Sequence, residues 1–407
     1  MSLKLLIVSQ RFWPEENDIN LLAGEFADAG IKVDVLCGQP FYPEGGFYEG
    51  YRAFGHKEEK YGDVSVYRAC ELPKSGSFAS HPLINYVSFS FSSRFVMRKL
   101  KKNQYDAVFI YQTSPVFQGK HALKLAGHRR IRSVMYVAEL WPEAIYKEMD
   151  LRDPLLRKIF KVISFRQYRR AGQLVTGSVE IEKYLVREVV QTPGKVKYIP
   201  PLSAGKMIFD NKDDRIRQRY IGSFNILYMG DIRRENSFDV ILDASQKLII
   251  MGLRDVRIII AGDGPGLAAL NKEIEKRGLF DMVLTQGQVP KEKLAAYVNA
   301  ADALICADLP GSTVSYAPPK KIVDYMGFGK PILAAADTEG KNIIKKAKCG
   351  FVSDPGDAQS LAENIKQLYM TPKEKLTAMG NAAALYKARN FDPDICARQI
   401  LEQIFPE

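Results

Sequence analysis

The sequence predicts an α/β chain of two doubly wound, Rossmann-like domains facing each other across a cleft. Three observations predict it. Short apolar runs rich in Val, Ile and Leu alternate with helical patterns along the 407 residues, as parallel strands buried on both faces require. The scheme occurs twice, once in each half. Glycine-bearing turns follow the second-half strands, at the edge where ligands of such sheets bind.

The first-half strands are expected at "LKLLIVS" (3–9), "KVDVLC" (32–37), "VSVYRA" (64–69), "AVFIY" (107–111) and "SVMYVA" (133–138), with "LVTGS" and "KVKYIP" after them. Helical stretches such as "NLLAGEFADAG" and "VFQGKHALKLAG" lie between. The "IPPL" at 199–202 reads as a rigid, extended hinge. The second half repeats the pattern with "FNILYM" (224–229), "VRIIIAG" (256–262), "ALICA" (303–307) and "PILAA" (331–335), each followed by a helix. The boundaries expected are 1–201 for the first domain and 202–388 for the second, with a C-terminal helix at 389–407 crossing back to the first.

Composition narrows the class. Hydrophobic residues make up 46% and charged residues 26%, a globular balance. No apolar run approaches the roughly 18 residues that span a bilayer. The opening "MSLKLLIVSQRFW" reads as a first buried strand rather than a signal peptide. Five scattered cysteines, odd in number, argue against a disulfide framework or a zinc site and for a reducing cytosol. The net charge of +11 is uneven: residues 1–200 hold 30 Lys and Arg against 21 Asp and Glu, and residues 201–407 hold 28 against 26. A basic first half points to an anionic partner.

The chemistry is expected after the second-half strands. "YMGDIRREN" ends a strand at Gly230 and offers Arg233 and Arg234 at a helix start. "IIIAGDGPGLAAL" ends at Gly262 and turns through Asp263; "VLTQGQVPKEKL" turns at Gly287. "YAPPKKIVDYMGFGKPIL" (316–333) puts Lys320 and Lys321 in the first turn of a helix. A cation there loses roughly 0.3–1 kcal/mol against the helix dipole, which a bound anion would offset. Solvated lysines are the plainer explanation, and a "GDGP" turn is more often ordinary turn chemistry than a ligand loop. Four cations and several glycine-lined helix starts converging on one strand edge nonetheless suit a diphosphate.

The run "AGDGPGLAALNKEIEKRGLFDMVLTQGQVPKEKLAAYVNAADALI", followed by "PKKIVDYMGFGKPIL", resembles the donor-binding half of family 4 glycosyltransferases of the GT-B fold. The opening "QRFWPEENDINLLAGEFADAGIKVDVLCGQPFYP" is similar to that family's first strand, loop and helix, and "ELWPE" (139–143) resembles a "DLWPE"-like motif of its bacterial surface-polysaccharide members, which build O-antigen and capsule. The resemblance covers nearly the whole chain. It implies transfer of a sugar from a nucleoside-diphosphate sugar, UDP-linked, to a glycan or lipid-diphosphate-linked acceptor, with retention of configuration and without a metal or other cofactor. It places Lys321 on the donor diphosphate, Asp324 on the ribose hydroxyls and the Gly287–Val289 turn on the base. Sugar selection is expected in the loop at 310–317, with Ser315 and Tyr316 among the substrate contacts.

Three departures stand out. The family's signature is a pair of glutamates spaced by seven residues; here those positions hold Tyr316 and Asp324. The usual Arg and Lys after the first strand of this half fall on Asp231 and Asn236, leaving Arg233 or Arg234 to substitute. The first-half loop reads "ENDIN" in place of a glycine pair.

Glu139, just past a buried strand, is the candidate for orienting or deprotonating the acceptor hydroxyl; the alternative is a loop carboxylate fixing a domain interface. Glu143 is the second candidate, and Trp141 is expected to pack. "PLINYVSFSFSSRFVMRKLKK" (82–102) is apolar on every side through Phe91 and then carries Arg94, Arg98, Lys99, Lys101 and Lys102. That pattern suits peripheral attachment to an anionic membrane surface, on the cytoplasmic face of the inner membrane. A helix at 155–170 carries an apolar arc of Leu155, Leu156, Ile159, Phe160 and Ile163, expected to pack on the sheet. A sugar-nucleotide epimerase of the same architecture is the alternative enzyme. A nucleic-acid binder is disfavoured, because the aromatics do not interleave with Lys and Arg in any RNA-binding motif.

Overall fold

A computed structural model of the chain describes residues 2–41, 46–55, 58–72, 82–190, 192, 194–201, 214–233, 237–308, 319–336 and 338–406. The chain divides into two compact units. The first comprises Met1–Leu202 and Pro393–Glu407; the second comprises Ser203–Ser315 and Pro319–Asp392.

The first unit is built on eight strands: β1 (Lys4–Val8), β2 (Lys32–Cys37), β3 (Glu58–Tyr61), β4 (Val64–Arg68), β5 (Ala107–Gln112), β6 (Arg132–Val137), β7 (Gln173–Thr176) and β8 (Val196–Tyr198). Their order is β3-β4-β2-β1-β5-β6-β7-β8. All neighbours are parallel except the β3–β4 pair. Leu5, Leu6 and Ile7 are fully buried because helices cover both faces. Helices Pro82–Leu100, Lys120–Arg129 and Pro154–Arg170 lie on one face, and Asp18–Asp28 and Pro393–Ile404 on the other. The last helix brings Cys396, Ala397, Ile400 and Ile404 into that second core.

The second unit has six parallel strands: β9 (Phe224–Met229), β10 (Val256–Ala261), β11 (Val283–Gly287), β12 (Ala303–Ala307), β13 (Ile332–Ala335) and β14 (Gly350–Ser353). Their order is β11-β10-β9-β12-β13-β14. Leaving aside β3, both sheets run outward from their first strand and then reverse. The reversals fall between β1 and β5 and between β9 and β12, and the carboxyl ends of those strands are where a doubly wound sheet opens a ligand crevice.

The helix Pro82–Leu100 turns apolar residues both inward and outward: it buries Tyr86, Phe89, Met97 and Leu100 and exposes Ile84, Val87, Phe91 and Phe95. Small buried polar residues, Ser92 and Ser93, alternate with the aromatics and let one side reach the sheet. In Pro154–Arg170, Phe160 is buried, yet Leu155, Leu156 and Ile159 face solvent instead of packing. Asp153 caps this helix, its Oδ1 accepting from the Leu156 amide at 2.8 Å, with Pro154 at the first position.

Candidate functional site

In the second unit the loops after β9, β10 and β11 are joined through their backbones. The Gly230 amide donates to the Ala261 carbonyl at 3.1 Å, Ile232 to Asp263 at 2.8 Å, Gly266 to Ile232 at 2.9 Å and Gly262 to Gly287 at 2.9 Å. This close approach explains the glycines. A Cβ on Gly262 would lie 1.9 Å from the Gly230 carbonyl oxygen, and one on Gly264, whose φ is +147°, 2.6 Å from that of Ile232. Asp263 turns inward on its own loop, its Oδ1 accepting from the Gly264 amide at 2.7 Å. Gly287 takes a φ of +65°. Val289, two residues on, is half-buried against the apolar core.

Lys321 stands over this platform, in the first turn of the helix Lys320–Met326. Its Nζ donates to the Tyr228 Oη at 2.6 Å and lies 4.2 Å from the ring centroid. Tyr228 in turn donates to the Asp231 carbonyl at 2.7 Å. A Cβ on Gly230 would be 3.2 Å from the lysine nitrogen. The ammonium thus sits at the β9/β12 reversal. Burial lowers its pKa, while the nearby Cys306, Asp308 and Asp231 act the other way. Burial also pushes the Cys306 thiol up to about 12. An ammonium has three N–H donors; among the described residues one is committed to Tyr228 and the other two are left for an anion.

The other sequence candidates are spread around this point. Arg233 is half-exposed and pairs with Asp231 at 2.8 Å. Lys320 is exposed, and Asp324 half-buried one turn on. The charge of Asp324 acts on Lys387, a buried lysine of the helix Lys373–Asn390 whose pKa burial lowers and Asp324 opposes. Arg234, Asn236, Ser315 and Tyr316 lie outside the described residues.

In the first unit Glu139 and Glu143 enter separate networks. Glu139, past the end of β6, accepts from the Ser114 hydroxyl. That oxygen itself accepts from the Trp141 indole N–H at 2.9 Å. Trp141 is fully buried, edge-to-face with Tyr86, Phe117 and Phe160, so it fixes the serine that fixes the carboxylate. Glu143 opens the short helix Glu143–Glu148 and accepts from the Tyr184 hydroxyl at 3.4 Å.

Sequence reasoning missed a polar cluster at the carboxyl edge of β1 and β4. Gln10 Nε2 donates to Asn85 Oδ1 at 2.9 Å, and Asn85 Nδ2 to Glu71 Oε1 at 2.7 Å. Arg11 Nη2 stands 3.9 Å from Glu71. Burial pushes the Glu71 carboxyl up to about 7 against the pull of Arg11. Glu71 follows a strand, as catalytic carboxylates do, and that position was the available signal. Among the described residues, no group of three or more His, Cys, Asp and Glu is placed to hold a metal ion.

Residues 210–385 match the family of glycosyl transferases group 1. This part of the chain is a group 1 glycosyltransferase domain. Relatives agree over most of the length. A 2-deoxystreptamine N-acetyl-D-glucosaminyltransferase of Niallia circulans is 19% identical over 351 residues, 84% of this chain and 85% of the relative. An O-antigen chain mannosyltransferase C of Escherichia coli is 23% identical over 375 residues, 90% and 89% of the two chains. The fold matches that of Anabaena HepE, solved with UDP and glucose, at a TM-score of 0.67, 16% identity and 99% coverage of both chains. The protein is a glycosyltransferase with the GT-B fold, and the Lys321 platform lies inside its group 1 domain.

Proposed function

We propose that this glycosyltransferase moves a sugar from a UDP-linked donor to a hydroxyl of a glycan or lipid-diphosphate-linked acceptor in bacterial surface-polysaccharide assembly, with retention of configuration. The observation that carries the donor half is the Lys321 ammonium, held at the strand-order reversal with two N–H donors uncommitted. UDP and glucose in a structure of the same fold support the donor class, and the O-antigen relative supports the acceptor class.

In this reading Lys321 meets the donor diphosphate and stabilises the negative charge that grows as the sugar–phosphate bond breaks. Arg233, with Arg234, adds a second cation; Lys320 lies at the rim. The Gly230, Gly262 and Asp263 backbones shape the phosphate bed, and Gly287 to Val289 hold the base through main-chain groups. Asp324 accepts the ribose hydroxyls, and Ser315 and Tyr316 contact the sugar. In the first unit the Ser114 hydroxyl holds and orients Glu139, which relieves the acceptor hydroxyl of a proton; Glu143 is the alternate base. The acceptor attacks from the face the diphosphate leaves, so the leaving group shares in taking that proton. The basic, partly apolar helix at 82–102 attaches the enzyme to an anionic membrane where a lipid-linked acceptor resides. Among the described residues no helix is long and apolar enough to cross a membrane.

A thermal-shift screen of nucleoside diphosphates and their sugars tests the donor assignment. At 100-fold saturation the cognate donor adds roughly 2.7 kcal/mol of stability. A rise with UDP and one UDP-sugar is expected; no response to any nucleoside diphosphate would refute the assignment.

A further inference from the structure

Three helical segments of the first unit enclose a groove that the proposed chemistry does not use. It lies between Pro82–Leu100, the stretch Val116–Arg129 and Pro154–Arg170, with a volume of about 740 Å³. A second pocket of about 260 Å³ continues it, sharing Ser90, Phe117 and Lys120. Every titratable side chain along the two is basic: Lys120, Lys124, Arg166 and Arg170 in the first, with Arg94 and His121 in the second. Among the described residues none of these side chains is in an ion pair with a carboxylate. The pKa of His121 is lowered by burial, by Lys120 and by Arg94, consistent with an uncompensated positive field. Apolar residues of the flanking helices face solvent beside the groove. Val87 and Phe91, on the first helix, are 56% and 62% exposed; Val162, on the third, is 60% exposed beside the exposed Ile159.

We infer that this groove seats the phosphate headgroup of an anionic membrane lipid, with Phe91 and Val162 entering the acyl boundary on either side. Exposed cations along the groove, with exposed apolar side chains beside them, match the chemistry of a bilayer surface, whereas a soluble anion would have no use for the exposed apolar residues. The inference rests on the membrane attachment proposed above and moves its electrostatic centre. The residues just past Arg94 are otherwise engaged: Lys99 pairs with Glu58, and Arg98 stacks on Phe95 at 5.4 Å. All the groove cations but Arg94 lie outside 82–102, so a charge count of that stretch alone could not have found them.

Flotation tests this with the full chain and phosphatidylcholine vesicles, with and without phosphatidylglycerol, so sugar transfer plays no part in the readout. Wild type is expected to float only with the anionic vesicles. Replacing Lys120, Lys124, Arg166 and Arg170 by Glu should lower binding by several hundred-fold, on the order of five-fold or more per cation. A Phe91→Ser, Val162→Ser variant should also lose binding, with its melting temperature unchanged. Neutralising Arg98, Lys99, Lys101 and Lys102 to Gln should leave most of it. No flotation by wild type would sink membrane attachment altogether. Equal flotation of the groove variant, or loss only in the Gln variant, would return the headgroup site to the helix end. Release of wild type by inorganic pyrophosphate would assign the groove to a soluble phosphate instead.

Discussion

The Lys321 ammonium donates to the Tyr228 hydroxyl at 2.6 Å and lies 4.2 Å from the centre of the same ring. A cation in the first turn of a helix needs local compensation, and Tyr228, Asp231 and Asp308 supply it in the ligand-free chain. The lysine is therefore pre-positioned rather than loosely solvated. Lys321→Ala should weaken UDP binding by about 1.5–3 kcal/mol, the range for a hydrogen bond to a charged group, and leave uridine binding unchanged. Calorimetry with both ligands checks this; equal losses for the two would show that the lysine does not touch phosphate.

The lowered pKa of Lys321 gives that interaction a pH dependence. A diphosphate favours the charged amine, so binding raises the pKa back toward the ordinary lysine range. UDP affinity should stay flat while the free enzyme's lysine is protonated and fall as pH rises through its lowered pKa. Proton uptake on binding should appear in that same interval. Calorimetry in buffers of different ionisation enthalpy measures the uptake, and Lys321→Ala should abolish it.

Glu139→Gln preserves shape and removes charge. Turnover should fall by about 10²–10⁴, the usual contribution of general acid–base catalysis, with donor affinity nearly unchanged. Ser114→Ala, which removes the hydroxyl that donates to Glu139, should lower turnover less. A Gln variant within threefold of wild type would retire Glu139 and move the test to Glu143.

Gly262→Ala forces a Cβ to within 1.9 Å of the Gly230 carbonyl oxygen. Separating the two loops should cost about 1–3 kcal/mol of stability, as overpacking does, and weaken donor binding with it. Urea unfolding and UDP titration of the variant check both. Unchanged stability would mean that the loop hydrogen bonds are dispensable.

Much of this was legible in the sequence because buried parallel strands leave continuous apolar runs. β3 did not: "EEKY" is an antiparallel edge with alternating exposure, so no run marks it. β14 is four residues at an edge of the second unit's sheet and equally faint. Two lysines at a helix start suggested an anion, and the family resemblance was what placed Lys321 rather than Lys320 on it. Lys387 was not legible, and Glu71 carried only its place after a strand, since nothing in a linear pattern distinguishes a buried charge from a solvated one. Helix faces were half-legible: periodicity identified apolar side chains on Pro82–Leu100 and Pro154–Arg170, but the sheet's extent decides which of them remain exposed.

Glu71 carries a stability prediction. Burial raises its carboxyl from the ordinary 4.5 to about 7, so the folded chain holds a proton there that the unfolded chain has released. Between those values the folded state binds more protons, and stability should decline as pH rises. Glu71→Gln should remove that decline and melt higher than wild type above pH 7, approaching it near pH 4.5. Thermal melts across that interval, with parallel wild-type and variant curves as the contrary outcome, decide the point.

The central claim is sugar transfer from a nucleoside diphosphate, and acceptor-dependent turnover tests it most directly. The purified chain is incubated with the UDP-sugar chosen by thermal shift, with and without a lipid-diphosphate-linked saccharide, and both substrates are followed by mass spectrometry. The account predicts UDP release that depends on the acceptor, an acceptor heavier by one sugar residue, and loss of both in Lys321→Ala. Conversion of the donor to an epimer with no acceptor present, or an unchanged acceptor mass beside an intact donor, would contradict it.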